Sequence, residues 1–191
     1  MALTTLDPRS ALVVIDLQQG IVALPTAPHE AGEVLVRSAT LADAFRAHGL
    51  PVVRVRVTFA PDFADAVPGR TETRAGGGAR PAGWDTLVDE MPGDLVITKR
   101  NWSAFYGTDL DLQLRRRGVT QIVLTGIATS IGVESTARAA YEHGYNVALA
   151  VDAMADMDEA AHRHSVERIF PRLGETGTVE QLIELLDWTR P

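Results

Sequence analysis

Short apolar runs rich in β-branched residues alternate along this chain with longer stretches of helical period. That alternation restricts the fold more than any other feature. Five runs read as buried strands: ALVVIDL (residues 11–17), PVVRVRVTF (51–59), DLVITK (94–99), QIVLTGI (121–127) and NVALAVDAM (146–154). Most are near-continuous in Val, Ile and Leu, the pattern of parallel strands covered on both faces. PVVRVRVTF differs, because Arg54 and Arg56 alternate with valines; one of its faces should be polar, or it lies near an open end of the sheet. Helical patterns fill 31–48, 109–117 and 132–143, closing at Gly49, Gly118 and Gly144, the residue type favoured just past a helix end. Thr108-Asp109-Leu110-Asp111 is close to a capping box. Two more patterns cover 158–170, which Pro171 should stop, and 179–188. A short sixth strand is expected around 177–179. Strands and helices in this order predict an α/β fold: a doubly wound three-layer sandwich, its mostly parallel sheet of five or six strands covered by helices on both faces. The 191 residues suffice for one core and show no internal repeat, so 1–191 reads as a single domain.

Composition removes whole classes of function. A net charge of −7 argues against an extended nucleic-acid surface, which needs a basic footprint. The basic run Arg115-Arg116-Arg117 sits late in a predicted helix, where it complements the helix dipole. No cysteine is present, which excludes disulfides, thiolate metal sites and a cysteine nucleophile together. The N-terminus lacks a signal-peptide pattern, and no run approaches the roughly 20 apolar residues of a membrane span. The expected location is the cytoplasm. The stretch 60–83 has no period and is rich in Gly, Pro, Ala and Arg; loops this long are lids, binding loops or disordered excursions. Its Arg70, Arg74 and Arg80 are either solvated or within reach of an anionic ligand.

In doubly wound sheets, ligands bind at the carboxyl ends of the strands near the switch in strand order. The first strand ends in Asp16 and the third in Lys99. Either charge alone could be a cap or a rim group, but each supplies the counter-charge that the other needs when buried. The fourth strand runs into GIATSIGVES, a sharp strand-to-helix turn whose free N–H groups suit a carboxylate or an oxyanion. No glycine pattern for a nucleotide is present. Ala128-Thr129-Ser130-Ile131-Gly132 also reads as a variant nucleophile elbow, with Asp152 or Asp156 and His162 following in triad order. His29, His48, His143, His162 and His164 are scattered; His162 and His164 face different sides of a helix. Neither a metal nor a cofactor is expected, and the partner is a small molecule.

Three segments carry a resemblance: ALVVIDLQQG with Asp16, VITKRNWSAFYGTDLDLQLRRRG with Lys99, and TGIATSIGVESTARAAYEHGYNV with the turn. In order and spacing they resemble the isochorismatase-like hydrolases, also called the cysteine hydrolase superfamily. That resemblance implies an Asp–Lys–Cys triad, of which Asp16 and Lys99 match two members and Gly132 stands where the cysteine would be. It implies a cis peptide between Ile127 and Ala128 that aims the N–H groups of Ala128 and Gly132 at one point, and a homodimer or homotetramer. The isochorismatases proper also lack the cysteine: they protonate the carbon of a vinyl ether and release pyruvate, chemistry needing a general acid rather than a nucleophile. On this resemblance Asp16 is the proton donor, and Lys99 orients it or binds a substrate carboxylate. Two departures stand out. The glutamine those enzymes carry after the second strand is missing at Thr58, Phe59 and Ala60, and the Asp-x-His metal site of the nicotinamidase branch is absent. Trp102, Phe105 and Tyr106 follow Lys99 closely, and Trp102 and Phe105 are the expected pocket aromatics. Rival expectations are a binding protein that keeps the pocket without catalysis, and a serine hydrolase using Ser130. For Asp16 the sequence leaves two opposed forces: the adjacent lysine lowers its pKa, and burial raises it.

Overall fold

Six strands pair in parallel in the order β3-β2-β1-β4-β5-β6: Ser10–Ile15, Val52–Val57, Leu95–Lys99, Gln121–Ile127, Asn146–Ala155 and Glu175–Gly177 for β1 to β6. The computed structural model describes residues 3–67, 69–72 and 80–189. Arg74 therefore lies outside the described residues. Helices α1 to α6 span Gln19–Val22, Ala31–Ala47, Leu110–Arg116, Glu134–Glu142, Glu159–His164 and Val179–Thr189.

The continuous apolar strands have the physical consequence expected of them. Along β1, Ala11, Val13 and Ile15 face one core, and Leu12 and Val14 face a second. The first core is closed by Leu110 and Leu114 of α3 and Ala137 and Ala140 of α4, the second by Val34, Leu41 and Phe45 of α2 and Leu182 and Leu186 of α6. Helices thus cover both faces, and the inner strands β1, β4 and β5 are largely apolar on both sides. The arginines of β2 are the exception. Arg54 is buried and its charge is met by Asp94 at 3.0 Å and Asp89 at 3.5 Å, and the Arg56 guanidinium donates to Thr98 Oγ1.

Boundaries moved where side chains competed with backbone. The sixth strand sits at Glu175–Gly177, slightly before its expected place, because Val179 opens α6 with its N–H on the Asp152 carboxylate. No capping box forms at α3: Thr108 accepts from the Leu110 N–H, and Asp111 turns instead to Arg115 and Tyr145. The expected helix 158–170 is three pieces, α5, a wide turn at Ser165–Ile169 and a tight one at Phe170–Arg172 that contains Pro171.

Strand order reverses between β1 and β4, so their carboxyl ends flank the crevice where this topology places ligands. The two strands approach closely there. Gly126 pairs with Ile15 at φ 118°, and a Cβ on it would stand 2.1 Å from the Ile15 carbonyl oxygen. Only glycine fits.

Candidate active site

Asp16 follows β1 directly, in a left-handed backbone conformation (φ 52°) that a short polar residue tolerates better than most. Its N–H donates to the Val55 carbonyl, so the chain leaves the sheet only at this residue. The carboxylate meets the ammonium of Lys99, from the end of β3, at 2.8 Å, and both side chains are buried. Lys99 Nζ also donates to the backbone carbonyl of Trp102 at 2.7 Å. The Asp16–Lys99 pairing expected from the strand ends is therefore present.

Electrostatically the pair is lopsided. Lys99 engages only Oδ2 of Asp16; Oδ1 is buried and has no hydrogen-bond partner among the described residues. A carboxylate with one bare buried oxygen is costly to ionise. Burial raises the Asp16 pKa to about 6 against the opposing pull of the Lys99 charge and hydrogen bond. Of the two forces the sequence left opposed, burial is the larger.

Gly132 closes the third side. A Cβ built on it would lie 3.2 Å from Asp16 Oδ2, 3.3 Å from Lys99 Nζ and 2.9 Å from Ile15 Cγ2. Any side chain at this position would press on the acid–ammonium pair and on the buried Ile15, so the glycine lets the turn pack directly against them. The peptide between Ile127 and Ala128 is cis, as the resemblance implied. Ala128 leads into a wide helical turn, Thr129–Val133, and its carbonyl accepts the N–H groups of Ile131 and Val133.

The two expected pocket aromatics are corrected. Trp102 is 67% exposed, and it is its backbone carbonyl that meets the site, accepting from Lys99 Nζ. The reason is the buried lysine: its ammonium needs an acceptor, and the loop turns a carbonyl inward to provide one. Phe105 is a core residue, its ring 5.1 Å from that of His143 and 5.8 Å from that of Tyr145, which precedes β5. It therefore packs toward the sheet edge opposite Asp16.

The elbow reading is corrected as well. Asp156 accepts from the backbone N–H of Ser130 at 2.7 Å, not from a histidine, and His162 Nδ1 is bonded to Thr129 Oγ1 at 2.8 Å. Asp152 caps α6. No Ser–His–Asp relay is assembled. Among the described residues no group of His, Asp or Glu converges as a metal site would.

One feature escaped sequence reasoning, and a second was left open by it. Gln18 is fully buried and its amide bridges the end of β2, accepting from the Val57 N–H and donating to the Val57 carbonyl. It ties the segment after β1 to the segment after β2. Arg80, from the long loop, lies 3.7 Å from the centre of the Trp84 ring and 5.4 and 5.6 Å from those of Phe59 and Phe63. Among the described residues it has no carboxylate partner, and burial draws its pKa below the usual arginine value. Phe59 follows Val57, the register partner of Lys99, and Trp84 receives the Gly20 N–H, so this cage stands over the same strand ends as Asp16. A polar residue after a strand was the only signal for Gln18, whereas Arg80 was one of the loop arginines that the sequence left as either solvated or within reach of an anionic ligand.

Comparison with known proteins agrees with this fold. A family model described as the isochorismatase domain matches residues 10–181. The isochorismatase family protein YecD of Escherichia coli O157:H7 is 44% identical over 93% of this chain and 96% of its own length. The ureidoacrylate amidohydrolase RutB of Methylobacterium radiotolerans is 33% identical over 86% of this chain and 74% of its own. The solved structure of an isochorismatase family protein from Burkholderia thailandensis superposes with a TM-score of 0.93 at 47% identity, covering 96% of this chain and 98% of that one. The chain belongs to the isochorismatase family and is a hydrolase of that family.

Proposed function

We propose that this hydrolase works without a protein nucleophile on a small carboxylated substrate, by acid-catalysed cleavage of a vinyl ether of the isochorismate type. The observation that carries the reading is Asp16, whose pKa is raised to about 6 although an ammonium touches it. Amide hydrolysis of the cysteine type asks the aspartate to accept a thiol proton, and this chain has no cysteine. Vinyl-ether cleavage asks it to donate one. With a pKa near 6, about a tenth of the molecules hold Asp16 protonated at pH 7, and a substrate carboxylate nearby raises that share.

The step balances as follows. The Asp16 proton passes to the terminal carbon of the enol ether, the C=C pair forming the new C–H bond and leaving an oxocarbenium ion. Water adds to the cationic carbon and returns a proton to the carboxylate. The hemiketal then breaks its bond to the leaving oxygen, which takes up a proton, giving pyruvate and an alcohol. Lys99 steadies the Asp16 carboxylate as it forms, and its remaining N–H is available to a substrate oxygen. The N–H groups of Ala128 and Gly132 hold a further oxygen, and the missing side chain at Gly132 lets the turn that carries them lie directly against the acid.

Arg80 anchors the substrate carboxylate. The position where isochorismate-cleaving relatives carry a glutamine is occupied here by Thr58, whose hydroxyl donates to Asp85 at 2.6 Å, and by Phe59. A guanidinium stacked on aromatic rings and lacking a carboxylate of its own takes over that role. The test is pyruvate release from isochorismate by the purified protein. Release that Asp16→Asn abolishes is the expected result, together with a KM about tenfold higher and a kcat within about threefold of wild type for Arg80→Ala. Absence of release, or release that survives Asp16→Asn, would overturn the vinyl-ether reading and give weight to a pocket kept for binding alone.

A further inference from the structure

Ser130, Asp156 and His162 lie in triad order but do not form a triad, and what they do instead is specific. The turn carrying Ala128 and Gly132 is held from one side by two contacts. The Asp156 carboxylate, buried at the end of β5, accepts the Ser130 N–H at 2.7 Å through Oδ2 and the Met157 N–H at 2.8 Å through Oδ1. Six residues on, His162 of α5 meets the hydroxyl of Thr129, a side chain with no solvent exposure, at 2.8 Å. From the other side, Thr136 Oγ1 donates to the Gly132 carbonyl at 2.7 Å and accepts the N–H of Ala104, in the loop that follows Lys99. The turn is therefore pinned to β5–α5 on one flank and to the Lys99 loop on the other.

His162 itself is buried, and its ring meets that of His29 edge-on at 6.4 Å. Burial, then the facing His29, hold its pKa down against the upward pull of Asp156 and Glu159, so it is a neutral hydrogen-bonding group at pH 7.

We infer that His162 is a positioning residue: through Thr129, and in parallel with Asp156 on Ser130, it fixes the turn so that the N–H groups of Ala128 and Gly132 keep their place beside Asp16. The inference rests on the proposed use of those N–H groups, but its structural half stands without it. Dipoles aimed at developing charge work only when held in place, and a displacement on the order of 1 Å costs about a hundredfold in rate.

The test uses His162→Ala, His162→Asn and His162→Gln, with Thr129→Val removing the hydroxyl from the other side. Asparagine sets its amide near the place of Nδ1 and glutamine sets it near Nε2, so only asparagine restores the Thr129 contact. With isochorismate, kcat should fall ten- to a hundredfold in His162→Ala, His162→Gln and Thr129→Val, with KM within threefold, and His162→Asn should recover most of it. Amide hydrogen exchange at residues 128–132 should rise at least tenfold in the same three variants and not in His162→Asn, with the amides of β1 and β4 unchanged. If the wild type cleaves no isochorismate, the reaction reading fails and exchange alone judges the clamp. If exchange at 128–132 is unaltered in His162→Ala and Thr129→Val, or is as fast in His162→Asn as in His162→Ala, the clamp is wrong whatever the reaction.

Discussion

Two buried acid–base pairs stand in the same sheet, and they are built to opposite ends. Asp94, just before β3, takes Arg46 on both oxygens, at 3.0 and 2.7 Å, and Arg54 on Oδ2 at 3.0 Å. Burial pushes its pKa up, but the two guanidiniums outweigh it and hold the carboxyl below its ordinary value. Asp16, just after β1, receives one ammonium on one oxygen, keeps the other bare, and is pushed up to about 6. The contrast shows what separates a structural ion pair from a reactive one. Depth of burial and number of donors act together: Asp16 is the more deeply buried and has one donor on one oxygen, whereas Asp94 lies nearer the surface and has donors on both. A group given every partner is locked in its charged form, and a group left one partner short can still exchange a proton.

The contrast breaks most visibly under paired substitutions. Asp16→Asn should cost about a thousandfold in pyruvate release, in line with removal of a general acid. Asp94→Asn should leave kcat within a fewfold of wild type and lower the unfolding free energy by about 3 kcal/mol, since two guanidiniums then lack their common carboxylate. Kinetics and urea denaturation on both variants separate the roles; equal activity losses would mean that the two pairs do not differ in kind.

A smaller effect is expected from filling the space beside the reactive pair. Gly132→Ala should lower kcat/KM about a hundredfold and lower Tm as well, because its Cβ would stand 3.2 Å from Asp16 Oδ2 and 2.9 Å from Cγ2 of the buried Ile15. Steady-state kinetics on the folded variant reads this directly, and an unimpaired alanine variant would remove the role assigned to the glycine.

A further effect is on stability, and its sign follows from the direction of each shift. The folded-state pKa of Asp16 lies above its unfolded value, so its contribution to stability is complete below pH 4 and is lost as pH rises through about 6. The loss is about 3 kcal/mol for a shift of this size. Asp94 acts in the reverse sense and in another window: its contribution is present above its unfolded pKa and is lost only as pH falls below it. His162, with a lowered pKa, gains stability as pH rises through the same range as Asp16 and partly masks it. The readout is therefore the difference between wild type and Asp16→Asn across pH 4.5–7.5. That difference should shift toward the variant as pH rises, and a flat difference would mean that Asp16 is already ionised below pH 5.

Much of this molecule could be read without coordinates, and the reasons are local. Val, Ile and Leu crowd a strand only when both faces are covered, so β1, β3, β4 and β5 announced a parallel sheet with helices on each side. Asp16 and Lys99 were visible because a lone charge after an apolar run must find a partner. Gly132 was marked by the resemblance, as the residue that stands where the family carries its cysteine. What the sequence could not carry depends on which way a side chain faces. Trp102 and Phe105 sit three residues apart after Lys99, yet one lies in solvent and the other in the core, because the loop turned to bring a carbonyl to the buried ammonium. Ser130, Asp156 and His162 stood in the order of a triad and became anchors of a turn, because contact across residue numbers is set by how β5 and α5 pack on β4. The charge balance at Asp16 was decided the same way. Composition names the acid and the lysine, but only the packed structure leaves one oxygen without a donor and allows burial to outweigh the salt bridge.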